Sequence, residues 1–462
     1  MTILFRPETP SQAASSPIRP AAAGVPHCPA SGLARGGVPI SAPLPARKLT
    51  LTILVLVFAV NFMDRQILAI LLEPIKRDLD LTDAELGLLY GLAFAAVYST
   101  VAIPIARWAD RASRVKIITG SLALFSLMTL LCGLAVNYWQ LLLARIGVGI
   151  GEGGTNPASH SIISDLYPVE RRSTAMAIFA LGPHMGILLG FLVGGWLGQL
   201  WSWRVAFIVA GLAGLVLAAI TLRLLKEPPR GHVDGVTMLP EALPRVSAVR
   251  ESLLRYASMR HLFAGSAVCS IAAYAVIGWL PAFLIRTQDM STSAAGTVLA
   301  LLLGAIGGAG TLLGGVLADR MGARDSAWRL RVVAIALLSV IPCWAAALFV
   351  DGLGVVLGLL LIPSALLGFY LGPSFAMVQS LVTPTMRALA AALLLLVANL
   401  IGLGLGPLVV GVVSDSLQAT HGPDSLRLAL LVLLPLYCWG AYHYHAAART
   451  ISRDLAAHQS GT

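Results

Sequence analysis

Twelve apolar segments dominate the chain, most of them near the ~20 residues that a helix needs to cross the hydrocarbon of a bilayer. They lie near 50–72, 84–107, 115–136, 139–166, 174–198, 202–225, 262–286, 294–318, 331–350, 354–381, 387–413 and 424–447. Strands are excluded, because the runs do not alternate and an open sheet cannot satisfy its edges in lipid. Composition agrees. The chain is 57% hydrophobic and 12% charged, against about 45–50% and about 25% in soluble domains, and so could not solvate its surface in water. The expected fold class is an all-α integral membrane protein with twelve transmembrane helices.

Several classes drop out. The net charge of +10 is not arranged in aromatic-interleaved basic patches, so nucleic acid is not an expected partner. No His/Asp/Glu metal constellation and no Ser or Cys nucleophile beside a base marks an enzyme. No phosphate-cradling Gly-rich loop marks a primary pump. No cofactor or metal is expected. Cys28, Cys132, Cys269, Cys343 and Cys438 are far apart, four of them inside apolar runs, which reads as small core residues rather than a disulfide framework.

Lys and Arg set the orientation. Twenty-five lie on the side of the two chain ends, five on the other side, and Arg65 and Arg145 lie within spans. The positive-inside rule places both termini in the cytoplasm. Residues 1–46, rich in Ala, Pro, Ser and Gly, read as a disordered tail. A six-span bundle is expected over 47–225, a linker over 226–261, a second bundle over 262–447 and a tail over 448–462. The end of the linker, Ser247 to His261, has Val249, Leu253, Leu254 and Ala257 at helical spacing. It reads either as a basic amphipathic helix on the membrane surface or as a solvated linker helix.

The halves repeat each other. Leu81-Thr82-Asp83-Ala84-Glu85-Leu86-Gly87 and Met290-Ser291-Thr292-Ser293-Ala294-Ala295-Gly296 are 209 residues apart, as are Asp110 and Asp319 at the ends of the spans that follow. One ungapped register across a whole helix implies parallel repeats, the arrangement of transporters that bind substrate at the midplane between halves. Asp110, Arg111 and Arg114 in one copy and Asp319 and Arg320 in the other are expected to hold a cytoplasmic gate, the carboxylate capping a helix N-terminus.

Ionisable residues inside a membrane are costly and point to function. Span 1 has Asn61, Asp64 and Arg65. Span 4 has Arg145, Glu152 and Asn156 at helical spacing, and span 5 has His184 after Gly182-Pro183. Burial favours a neutral carboxyl and a neighbouring guanidinium favours the anion. A carboxylate moved between those environments can therefore carry a proton. Asp64 is expected to lead in proton coupling, with Glu152 second. Arg65 and Arg145, with Asn61, Asn156 and His184, are expected to tune the acids or hold an anionic group. The second half offers few polar residues, and Tyr274, Trp279, Phe369 and Tyr370 are expected to form an apolar cavity wall. That combination suits an amphipathic substrate.

Two resemblances add to this reading. Gly315-Val316-Leu317-Ala318-Asp319-Arg320-Met321-Gly322 resembles the loop signature of the major facilitator superfamily; the first copy has Ala106 and Ser113 where glycines are expected. Asn61-Phe62-Met63-Asp64-Arg65-Gln66 and the span 4 run Arg145-Ile146-Gly147-Val148-Gly149-Ile150-Gly151-Glu152 resemble the spinster family over about residues 50–225, with Gly153 and Gly154 departing from its pattern. That family includes exporters of lysophospholipids and sphingosine phosphate and many bacterial members. The resemblance implies a monomeric, proton-linked transporter working by alternating access in a bacterial inner membrane, using Asp64 and Glu152. Its partners would be protons, membrane lipids and a small amphipathic or anionic substrate. The organic anion:cation symporters share the Asp-Arg pair in span 1 and the Arg…Gly-x-x-Glu pattern in span 4. In that alternative Arg65 and Arg145 bind a sugar acid. A transport-inactive sensor or scaffold is the alternative from another class.

Overall fold

The computed structural model describes residues 44–109, 112–228, 251, 254–383 and 386–460. Among these, all regular structure is helical and forms twelve rods. They are α1 (Leu44–Leu79), α2 (83–109), α3 (Arg114–Leu134), α4 (138–166), α5 (169–200), α6 (Trp203–Leu224), α7 (Ala257–Thr287), α8 (Thr292–Gly322), α9 (Trp328–Phe349), α10 (Leu353–Ser380), α11 (387–421) and α12 (425–460). Each expected span falls on one rod. The expected tail over 1–46 lies almost wholly outside the described residues, as does most of the linker and its surface helix.

Two ends differ from expectation. Helix α7 begins at Ala257, and α12 continues past 447 to Ser460, so most of the segment expected as a tail is helical. The two ends support each other: buried Asp454 of α12 caps α7, accepting from the Ser258 backbone N–H (2.9 Å) and hydroxyl (2.7 Å). This satisfies donors that the first turn of α7 leaves without intrahelical partners.

The repeat is visible in the backbone. Asp80 and Asp289, 209 residues apart, both adopt positive φ (52° and 51°), a conformation that Asp tolerates better than most residues. Two residues later Thr82 and Ser291 each cap a helix, accepting from the N–H of Glu85 and Ala294 at 3.2 Å.

Small residues set how closely the rods approach. Along α5, Gly186 and Gly190 lie against the carbonyls of Ala59 and Met63, where a Cβ would sit 2.4 and 2.6 Å away. Backbone-to-backbone packing of this kind is the usual use of spaced glycines in membrane helices. It fixes α1 at the stretch that carries Asp64 and Arg65.

The halves are tied together at the end remote from the chain termini. Asp83 opens α2 and is fully buried. Its carboxylate accepts from Arg286 of α7 on both oxygens, from Lys76 of α1 (2.6 Å) and from Ser414 of α11 (2.6 Å). Arg286 also reaches Glu73 of α1. Asp415 accepts from the backbone N–H groups of Asp83 and Ala84 (2.9 and 2.7 Å). Nearby, Trp196 donates to Thr297, and the Thr292 N–H donates to Gln199. The hydrogen bonds that join the halves through Asp83, Asp415, Trp196 and Gln199 all lie at this end.

Candidate functional site

Helix α1 buries four polar residues, Asn61, Asp64, Arg65 and Gln66, within two turns. Asp64 is 1% exposed and Arg65 7%; on α4, Arg145 and Glu152 are each 1% exposed. The four charged residues form two ion pairs between the same two helices. Arg65 donates to Glu152 Oε2 from Nε (3.0 Å) and Nη2 (2.6 Å), and Arg145 Nη1 donates to Asp64 Oδ2. Isolated charges in this setting would carry a desolvation penalty of several kcal/mol each, which only close pairing and hydrogen bonding can offset.

The local sequence explains how α4 reaches α1. Glu152 ends the first segment of α4 (Tyr138–Glu152), and the second begins at Thr155. The break falls on Gly153 and Gly154. A Cβ on Gly154 would come 2.3 Å from Ser121 Oγ of α3 and 2.9 Å from Ile105 Cγ2 of α2, so a larger residue here would force these side chains to move. Thr155 then donates to the Glu152 carbonyl (3.0 Å) and accepts from Asn61 Nδ2 (2.7 Å).

Aromatic faces surround the cations. The Arg65 guanidinium lies 4.6 Å from the ring centre of Phe94, 5.1 Å from Phe62 and 5.3 Å from Tyr98; that of Arg145 lies 5.5 Å from the same Phe94 ring. One ring of α2 thus serves both cations, a favourable arrangement where water is excluded. Phe94, Tyr98, Thr155 and Thr129, which donates to Asp64 Oδ1 (2.7 Å), were not expected at the site. Phe94 and Tyr98 are four apart on one helix face and stack on each other. Thr129 carries no signal, being one more small residue in an apolar run.

The two acids differ. Both oxygens of Asp64 are engaged, by Arg145 and by Thr129. Glu152 Oε1 is buried and accepts no hydrogen bond from the protein, and the same holds for Asn61 Oδ1 and Asn156 Oδ1. With Gln66 Oε1, which is likewise buried and unbonded, four acceptors with unused capacity belong to one short stretch of α1 and α4.

The other expected site residues are more dispersed. His184 lies on α5 against Gly308 of α8, where a Cβ would meet its ring at 2.6 Å, at a boundary between the halves. Of the four aromatic residues expected to line a cavity, three sit in packed interiors. Trp279 is fully buried and donates to the Pro407 carbonyl of α11 (2.8 Å). Phe369 packs on Gly314 of α8. Tyr370 belongs to a buried hydroxyl chain inside the second half, bonded to Ser270 (2.9 Å) beside the linked trio Ser266, Tyr444 and Ser374. Aromatic identity does not say which face of a helix is open. Tyr274 is the exception; it donates to Asn399 of α11 (2.9 Å) and stands within electrostatic reach of Arg65.

Asp110 and Arg111 lie outside the described residues. Arg114 makes its contacts within the first half: Asp165 and Ser161 of α4, Glu227 and the Pro228 carbonyl. Asp319 and Arg320 are exposed, and Asp319 is 3.8 Å from Arg329 at the start of α9. In this conformation the described gate residues therefore brace each half separately. Cys438, expected in the core, is exposed on α12.

Residues 54–407 match the Major Facilitator Superfamily. An "MFS-type efflux pump" of Mycolicibacterium smegmatis is 36% identical over 404 residues, covering 87% of this chain and 93% of that protein. A "probable galactarate/D-glucarate transporter" of Escherichia coli K12 is 28% identical over 299 residues, 59% of this chain and 67% of the other. A crystal structure of a bacterial homolog of the human lysosomal transporter spinster, inward-facing and unoccupied, superposes with a TM-score of 0.82 at 30% identity, covering 89% of this chain and 99% of that one. With its paired six-helix halves and charged α1–α4 core, the chain belongs to the major facilitator superfamily, as a spinster-like transporter.

Proposed function

We propose that the protein is a proton-coupled secondary transporter that carries an amphipathic, anionic substrate by alternating access. The observation that carries this reading is the crossed pairing of Asp64 with Arg145 and Arg65 with Glu152, with Glu152 Oε1 unengaged. A proton arriving at Glu152 neutralises it and removes the charge that holds Arg65. The freed guanidinium then presents a bidentate donor fork to a carboxylate or phosphate. Loss of the proton restores the ion pair and displaces the anion. Asp64 was expected to lead. Its doubly engaged carboxylate makes it the better brace for Arg145, and Glu152 the first proton acceptor.

An amphipathic substrate is favoured over a sugar acid because the second half faces Arg65 with the neutral side chain of Tyr274, bonded to Asn399, rather than with charge. The distribution of Lys and Arg supports cytoplasmic termini, and the tie around Asp83 at the opposite end supports reading this conformation as inward-facing. The protein works as a monomer in this scheme.

The test is transport in proteoliposomes under an imposed pH gradient. Wild type is expected to accumulate labelled lysophospholipid when the gradient is present. Glu152→Gln is expected to lose gradient-driven accumulation while retaining exchange of substrate across the membrane. Normal accumulation by Glu152→Gln would rule out its role. Competition by short sugar acids at concentrations that leave lysolipid vesicles intact would instead favour the organic-anion reading.

A further inference from the structure

Away from the α1–α4 core, helices α9 and α12 leave a groove of about 480 Å³ between them on the outside of the second half. It runs from Trp328 to Leu338 on α9, which at 1.5 Å per residue is about 15 Å, or half the ~30 Å hydrocarbon thickness. The groove is one leaflet deep. Its inner part is apolar, with Ile335 and Leu338 54% and 51% exposed. The polar end is at the start of α9, on the side of the chain termini, where Ser326 meets Ser452 of α12 (3.3 Å).

That end is basic. The Arg331 guanidinium lies 5.5 Å from the Trp328 ring centre, at the mouth of the groove. His445 lines the groove, and Arg449, one turn further along α12, is exposed on the same face. The acid facing them is Asp325, 3.4 Å from Arg331 in a pair with both side chains about 40% exposed. Such a half-exposed pair exchanges partners readily.

We infer that this groove holds one anionic phospholipid from the leaflet on the side of the chain termini, its phosphate on Arg331 and Arg449 and an acyl chain along Ile335 and Leu338. A cationic mouth over an apolar trough one leaflet deep matches such a molecule in both charge and length, and basic pockets between membrane helices bind anionic head groups by this chemistry. A second copy fits less well. Two-fold pairing apposes identical surfaces and would bring the basic mouths of both copies together.

The test uses the full chain purified in a mild detergent, incubated with phosphatidylglycerol or phosphatidylcholine and examined by native mass spectrometry. Wild type is expected to retain one phosphatidylglycerol per chain with at least fivefold preference over phosphatidylcholine, a preference that falls as salt rises. Arg331→Ala combined with Arg449→Ala is expected to abolish the preference. Leu338→Trp, which fills the groove without changing charge, is expected to reduce retention of both lipids. Equal retention of the two lipids by wild type, or a preference insensitive to salt, overturns the inference without recourse to any variant. So does an undiminished preference in the double variant, displacement of the lipid by inorganic phosphate alone, or a two-chain mass that Leu338→Trp converts to one.

Discussion

Arg286, near the end of α7, donates to both carboxylate oxygens of Asp83 at the start of α2, at 2.8 and 2.7 Å. This bidentate contact joins the two halves on the face away from the chain termini. Hydrogen bonds to charged groups contribute about 1.5–3 kcal/mol each when buried, and every 1.4 kcal/mol is about tenfold in population. Arg286→Gln is therefore expected to raise the outward-open fraction about tenfold or more. Val410→Cys, buried one turn earlier on α11 and outside the hydrogen-bonded tie, is a suitable reporter. In a background without other cysteines, its labelling by a membrane-impermeant reagent should accelerate by that factor. An unchanged rate would remove the contact from the closure of this face.

A glycine at the same crossing gives an independent handle. A Cβ on Gly411 would lie 2.3 Å from the Asp83 carbonyl in the opposite half. Gly411→Ala is expected to wedge the halves apart in this state and to increase labelling of the same reporter, with the helices themselves intact by circular dichroism.

Within the second half, Gly310 and Gly315 lie on one helix and should respond oppositely. A Cβ on Gly310 would sit 1.7 Å from the Ala365 carbonyl of α10, whereas Gly315 has no such neighbour within 4 Å. Gly310→Ala is expected to lower the melting temperature sharply. Gly315→Ala is expected to leave it unchanged or raise it, since alanine is favoured over glycine in a helix by about 1 kcal/mol.

The buried ion pairs predict a non-additive pattern. Removing one member of a buried pair typically costs about 3–5 kcal/mol, largely because the other charge is left uncompensated, while removing both is far milder. Arg65→Gln and Glu152→Gln are each expected to lower thermal stability in detergent, and the double variant to recover most of the loss. Additive losses would mean that the two side chains do not act on each other.

A pH-sensitive contact lies outside the bilayer at Glu227, just past α6. Burial by itself would raise its proton affinity. The Val115 backbone N–H, the Arg114 guanidinium and the Ser113 hydroxyl outweigh that and hold the carboxyl below the usual glutamate range. A depressed folded-state value means that the contact stabilises the fold above the ordinary glutamate value of about 4.3 and weakens as pH falls through the lower folded value. Hydrogen exchange of the Val115 amide, corrected for intrinsic rate, is expected to lose protection in that acidic window. Glu227→Gln should remove the pH dependence.

Much of this architecture was legible because charge is scarce in the chain. Asp64, Arg65, Arg145 and Glu152 stand out against apolar runs, and helical spacing set Arg145 and Glu152 in one polar stripe; that the two helices pair these charges is seen only in the fold. The unaided sequence does not distinguish Thr129 or Phe94 from other small or aromatic core residues, since their roles arise only when α2 and α3 close around α1. Trp279, Phe369 and Tyr370 were misplaced for a related reason: burial between helices and exposure to a cavity select the same residue types. Asp83 and Arg286 were hidden differently. At the ends of spans, charges serve topology in every membrane protein, and Arg286 counted simply as one of five basic residues on its side. Only the fold, by bringing the start of α2 to the end of α7, gives the pair a meaning.

All four membrane-embedded charges of the core belong to one bundle, while the interior of the other is built from the hydroxyls of Ser266, Ser270, Tyr370, Ser374 and Tyr444. The molecule thereby keeps its electrically active parts and its neutral polar framework on separate bodies. Side chains can be exchanged in the second bundle, reshaping what it accommodates, without disturbing any salt bridge in the first. Selectivity and energetics are on this plan separately adjustable, each within its own six helices.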